Sequence, residues 1–204
     1  METTTIQFTN EQLLALYRNG GAEARQAIKE ALGDRFSEQL PVTERVKTLE
    51  DAERELGNDH PSVRAYNSIK YGYSFSAGDP EAADIIAYAA LRVITDALNE
   101  GWRPQFIKGE RRWYCWYDLI SREDFYDLTE EEKCRCVGRS SNSANAYGGL
   151  VYSSANNASS YSNTHHSSRL AFKTEELAEY AAKQFIDIYA DFCFIPKACE
   201  NKSE

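Results

Sequence analysis

Apolar residues recur at helical spacing along two long stretches of this chain. Over residues 80–100, Ala82, Ile85, Ile86, Ala89, Ala90, Val93, Ile94, Ala97 and Leu98 form a stripe. A stripe this wide predicts a largely buried helix packed on a sheet. Asp79-Pro80 marks its start, because aspartate caps a helix and proline has no N–H to leave unpaired at the first helical position. Gly101 marks its end. The second stretch places Leu177, Ala181, Gln184, Phe185, Ile188 and Phe192 on one face of a single long helix. Thr174 caps that helix, Glu175 and Glu176 favour its positive end, and Pro196 closes the region.

The leading residues predict smaller helices. Thr9 and Gln12 have capping-box spacing ahead of Leu13, Leu14, Leu16 and Tyr17. Asn19-Gly20-Gly21 stops this helix, since glycine reaches left-handed backbone at low cost. Ala22 to Leu32 is a second helix ended by Gly33. Leu40-Pro41 breaks the chain. Short helical pieces follow: one near 43–47, one capped by Thr48 and ended by Gly57, and one opened by His60-Pro61. Tyr71 to Gly78 reads as a loop.

Alternation takes over at Arg111 to Ile120, which predicts a strand. Trp113, Cys115, Tyr117 and Leu119 share one face of it, and Tyr114 and Trp116 the other. A short acidic helical segment is read at 121–132, with further strands at 134–140, 149–154 and 168–173. No repeat of solenoid length is present. The fold class is α+β: small N-terminal helices, then a small antiparallel sheet packed on two long helices. The division this implies is a helical cap over 1–78, a core domain over 79–196 and a frayed tail over 197–204.

Composition narrows the setting. Apolar residues make up 42% of the chain, too many for a disordered segment, yet no run is long enough for a membrane span. The first eight residues carry neither a basic nor an apolar leader pattern, so no signal peptide is read there and a cytosolic location is expected. The cysteines, Cys115, Cys134, Cys136, Cys193 and Cys199, are odd in number and read as reduced thiols. A net charge of −9 argues against non-specific binding to duplex DNA. Seven acids against one base over 118–132 read as a solvated face, or as a docking patch for a basic partner.

One stretch departs from this charge pattern. The 29 residues from Ser140 to Ser168 contain no Lys, Arg, Asp or Glu, although 27% of the chain is charged. Tyr147, Tyr152, Asn156, Asn157, Tyr161, Asn163, His165 and His166 lie in it. Tyrosine gives rigid amphipathic area, and Ser, Asn and Gly give adaptable hydrogen bonds, as in binding loops. The same composition also suits a mobile polar loop.

Signals for chemistry are sparse. Cys134-x-Cys136 is spaced too tightly for a usual zinc site, and His165 and His166 would point to opposite faces of a strand, so no metal is expected. No nucleotide-binding, nucleophile-elbow or metalloprotease motif is present, and no catalytic residue or cofactor is assigned. Lys108, Arg111 and Arg112 interleave with Trp113, Tyr114, Trp116 and Tyr117. Tyr114 and Trp116, with Arg169, are therefore candidate contacts to single-stranded nucleic acid or a nucleotide. Cross-strand aromatic packing explains the same residues.

The segments VTERVKTLEDAERELG at 42–57, ALNEGWRP at 97–104, EEKCRCVGRS at 131–140, YGGLVYSSA at 147–155 and SRLAFKTEELAEYAAKQFIDIYADF at 168–192 resemble a group of small uncharacterised proteins. That group is encoded by phages and prophages of gut Bacteroides-type bacteria. The resemblance covers most of the chain and implies a phage-encoded protein acting in the host bacterial cytoplasm or built into a virion. It supplies no catalytic residues. The function expected is therefore a non-enzymatic interaction protein, a host-takeover or anti-defence binder or a minor virion component. It would present the neutral stretch to a protein partner, with no membrane involved. The alternative is a single-stranded nucleic acid or nucleotide binder using the strand at 111–120.

Overall fold

The computed structural model describes residues 7–33, 36, 39–72, 82–105, 107–133, 136–138, 149–159 and 168–194. It is an α+β protein, and the chain gathers into two compact units, Met1–Arg45 and Val46–Glu204. The units divide between Arg45 and Val46, whereas the sequence placed the boundary after residue 78.

The first unit holds α1 (Asn10–Asn19), α2 (Ala22–Leu32) and the single turn α3 (Val42–Arg45). Thr9 forms the expected capping box: its hydroxyl accepts from the Gln12 amide, and its own amide donates to Gln12 Oε1 at 2.9 Å. Tyr17 and Phe36 meet edge to face with ring centroids 5.5 Å apart and share a core with Leu40, Leu13, Leu14 and Ile28. Gly20 ends α1 in extended backbone at φ −76°, so its left-handed freedom is not used. Glycine is required there for space, because a Cβ would sit 2.7 Å from the Leu16 carbonyl oxygen.

In the second unit, α4 (Leu49–Leu56) and α5 (Pro61–Lys70) pack on α6 (Ala83–Leu98). Thr48 caps α4 and Pro61 opens α5, as their sequences predict. The Asp79-Pro80 start read for α6 lies outside the described residues. Strand β1 (Arg111–Ile120), α7 (Arg122–Asp127), α8 (Glu130–Lys133), β2 (Cys136–Gly138) and β3 (Gly149–Ser159) follow. The strands form an antiparallel sheet in the order β1-β3-β2. A bulge lies between Trp116, opposite Ser154, and Tyr117, opposite Tyr152.

Two expected elements differ. Residues 168–173 do not form a strand. They make a 3₁₀ turn (Ser168–Leu170), and Phe172 then bridges Trp113 through paired backbone hydrogen bonds of 2.8 and 3.1 Å. The last helix is not continuous. Phe185, at φ −114° and ψ 26°, separates α9 (Glu175–Gln184) from α10 (Ile186–Cys193). On either side of this break, α9 lies on β1 and β3 while α10 packs mainly on α6. The wide stripe on α6 is thus covered mainly by α4, α5 and α10. Its contributions to the core beside the sheet are Leu91, which clusters with Leu150, Leu170, Tyr189, Ala190 and Phe194, and the partly buried Tyr88 packed against them. Among the described residues no helix is long and apolar enough to cross a membrane.

Candidate functional site

Alternation along β1 gives the sheet two unlike faces. Cys115 and Tyr117 turn toward α9 and α10. The Cys115 sulfur lies 3.3 Å from the Ala178 carbonyl and 3.1 Å from the Tyr189 hydroxyl, and the Tyr117 hydroxyl donates to the Ala182 carbonyl at 2.9 Å. Burial pushes the Cys115 thiol up to about 12 and raises Tyr117 and Tyr189 as well. A thiol held protonated in this way is a packing group, since nucleophilic cysteines need the thiolate.

Tyr152, proposed from the sequence as a binding residue, belongs to this same interior. It is 3% exposed, its ring meets Tyr117 edge to face, and its hydroxyl donates to Glu179 at 3.3 Å. The bulge is what places it there: it sits opposite Tyr117, one residue off the register of the preceding pairs. Desolvation, with a contribution from the Glu179 carboxylate, pushes the Tyr152 hydroxyl up to about 12.

The opposite face carries Arg112, Tyr114 and Trp116. Arg112 and Tyr114 are buried, whereas Trp116 is 43% exposed. The pair Tyr114 and Trp116 therefore does not make a continuous stacking platform, and Arg112 is not placed to meet a phosphate backbone. Across from them on β3, Ser154 and Asn156 are exposed, in register with Trp116 and Tyr114. The Asn156 side chain accepts from the Asn157 amide at 2.8 Å, and Asn157 is exposed beside it. The structure thus brings Trp116, Ser154 and Asn156 together on one face of the sheet. Tyr147, Tyr161, His165 and His166 lie outside the described residues, as does Cys134. Among the described residues no group of three His, Cys, Asp or Glu is placed to hold a metal ion.

Arg169 is held elsewhere, at a site the sequence reading did not find. Arg92, Thr95 and Asp96 on α6 and Asn99 at its C-cap follow one another at i, i+3, i+4 and i+7, a polar seam beside the helix's apolar stripe. With Ser62, Trp102, Arg103 and Arg169 they line a cleft of about 250 Å³. Backbone pins fix its far wall: Asn99 Nδ2 donates to the Ala171 carbonyl at 2.8 Å, and Asn99 Oδ1 accepts from the Lys173 amide at 3.0 Å. Ser62 donates a hydrogen bond to the Asp96 carboxylate. A neighbouring cleft of about 300 Å³ shares Asp96, Trp102 and Arg103 and adds Glu55, His60 and Glu100. The polar seam was visible as a break in the apolar pattern. The approach of Arg169 to it depends on the 3₁₀ turn and the Phe172 bridge, which carry no local signature.

No family model matches the chain, and no curated protein or solved structure matches it.

Proposed function

We propose that this protein is a non-enzymatic interaction protein that engages a protein partner through the sheet face bearing Trp116, Ser154 and Asn156. One observation carries the reading: a 43% exposed tryptophan lies across from exposed Ser154, in a strand drawn from a stretch without charged side chains. Interface cores are depleted of charge and enriched in aromatic residues, and tryptophan is prominent among residues that dominate binding energy. On the resemblance to phage-encoded proteins, the partner belongs to the host cytoplasm or to the virion.

The experiment is capture from a Bacteroides-type lysate with the purified protein and two variants. Trp116→Ala combined with Asn156→Lys should lose the captured protein. Tyr126→Ala, which alters a 66% exposed residue on α7, should retain it. Retention by the double variant would overturn the proposal.

A further inference from the structure

The cleft beside α6 inverts the sign of the protein's charge. Arg92, Arg103 and Arg169 line it against a single carboxylate, Asp96, in a chain of net charge −9. Arg92 and Arg103 pair with no carboxylate among the described residues. Asp96 is already engaged by the Ser62 hydroxyl. Thr95 also lines the cleft; it is 1% exposed, and its hydroxyl oxygen has no hydrogen-bond partner among the described residues. That hydroxyl has almost no surface open to the cleft, so recognition chemistry in the cleft falls to its arginines.

We propose that this cleft binds a small phosphate-bearing ligand with a flat ring, the chemistry of a nucleoside monophosphate. Guanidinium groups match phosphate oxygens with paired N–H donors. Arg92 and Arg103, both without a carboxylate partner among the described residues, give two such groups on one cleft, to match the up to two charges of a phosphate monoester. Trp102 is half-buried and lines both this cleft and its neighbour, so it offers a ring face beside the arginines. In the neighbouring cleft, Glu55 and Glu100 supply acceptors of the kind sugar hydroxyls use. Together the two clefts reach the size of small-molecule sites. This site shares no residue with the sheet face, so it stands or falls separately from the protein-binding role.

The test is calorimetric titration of the full chain at low salt with AMP, adenosine and ribose 5-phosphate. AMP should bind, and adenosine and ribose 5-phosphate should each bind at least about tenfold more weakly, because one loses the charge-assisted bonds and the other the stacking. Arg103→Ala and Arg92→Ala should each weaken AMP about tenfold or more. Arg103 is exposed, so its variant should keep the wild-type thermal midpoint. Trp102→Ala should remove the preference for AMP over ribose 5-phosphate. The proposal is overturned if no binding is seen at about 10 mM AMP, where even a millimolar site is mostly filled. It is equally overturned if folded arginine variants bind AMP as the wild type does, or if adenosine binds as well as AMP.

Discussion

Asn99 Nδ2 donates to the Ala171 carbonyl across 2.8 Å, joining two residues 72 positions apart in the chain. The same side chain accepts from the Lys173 amide, so one buried amide holds the backbone on both sides of Phe172. That grip sets the position of the turn carrying Arg169. Asn99→Ala should leave a buried carbonyl without this donor and the Lys173 amide without this acceptor. We expect a loss of about 2–4 kcal/mol in urea denaturation. A loss below about 0.5 kcal/mol would show that the segment is held by other contacts.

The two sides of α6 make a sharper contrast. Leu91 is fully buried in the cluster with Leu150 and Tyr189, whereas Ile85, part of the same apolar stripe, is 40% exposed. Leu91→Ala should cost about 2–5 kcal/mol through lost burial and a cavity. Ile85→Ser should stay within about 0.5 kcal/mol. Equal losses in thermal or chemical unfolding would contradict the packing.

Much of this architecture was legible in the sequence because it rests on local chemistry. Thr9, Thr48 and Thr174 cap the helices their positions announced, since a cap needs only its own next three residues. The alternation of β1 correctly put Cys115 and Tyr117 on one face. What stayed hidden depends on distant partners. The bulge that turns Tyr152 inward is a property of the pairing between β1 and β3, and no residue in β3 announces it. The break at Phe185 interrupts an unbroken helical pattern without Gly or Pro, because α9 and α10 have different surfaces to cover. The cleft needs Arg92, Arg103 and Arg169 from three separate segments. Only the seam Arg92, Thr95, Asp96, Asn99 could have suggested it.

The buried thiol predicts a dependence on pH. Burial moves Cys115 from its ordinary 9.0 up to about 12. A thiol whose folded pKa is raised stays protonated in the folded state while the unfolded chain loses its proton. Its stabilising share is therefore full below pH 9.0 and lost as pH rises toward about 12. Within that window the slope from this group approaches about 1.4 kcal/mol per pH unit. Tyr152, raised from 10.0 to about 12, adds the same sign one unit later. Urea midpoints between pH 8 and about 10 should fall for the wild type and fall less steeply for Cys115→Ala. The same slope in both proteins would show that the thiol is not desolvated.

Tyr152 and Asn156 separate the interior of the neutral stretch from its surface. The two residues lie four apart on β3 and would share a face in an unbroken strand, but the bulge divides them. Tyr152 packs on Tyr117, its hydroxyl donates to Glu179, and Lys183 lies 5.0 Å from its ring centre. Asn156 faces solvent beside Ser154. Tyr152→Ala should therefore cost about 3–5 kcal/mol, as truncation of a buried aromatic does. Tyr152→Phe should cost about 1 kcal/mol, because it removes the bond to Glu179 and keeps the ring. Asn156→Ala should leave the unfolding midpoint nearly unchanged and affect only partner capture. If Tyr152→Ala unfolds at the wild-type midpoint, the inward placement of its ring is wrong, and the whole exposed length of β3 becomes available as a binding surface.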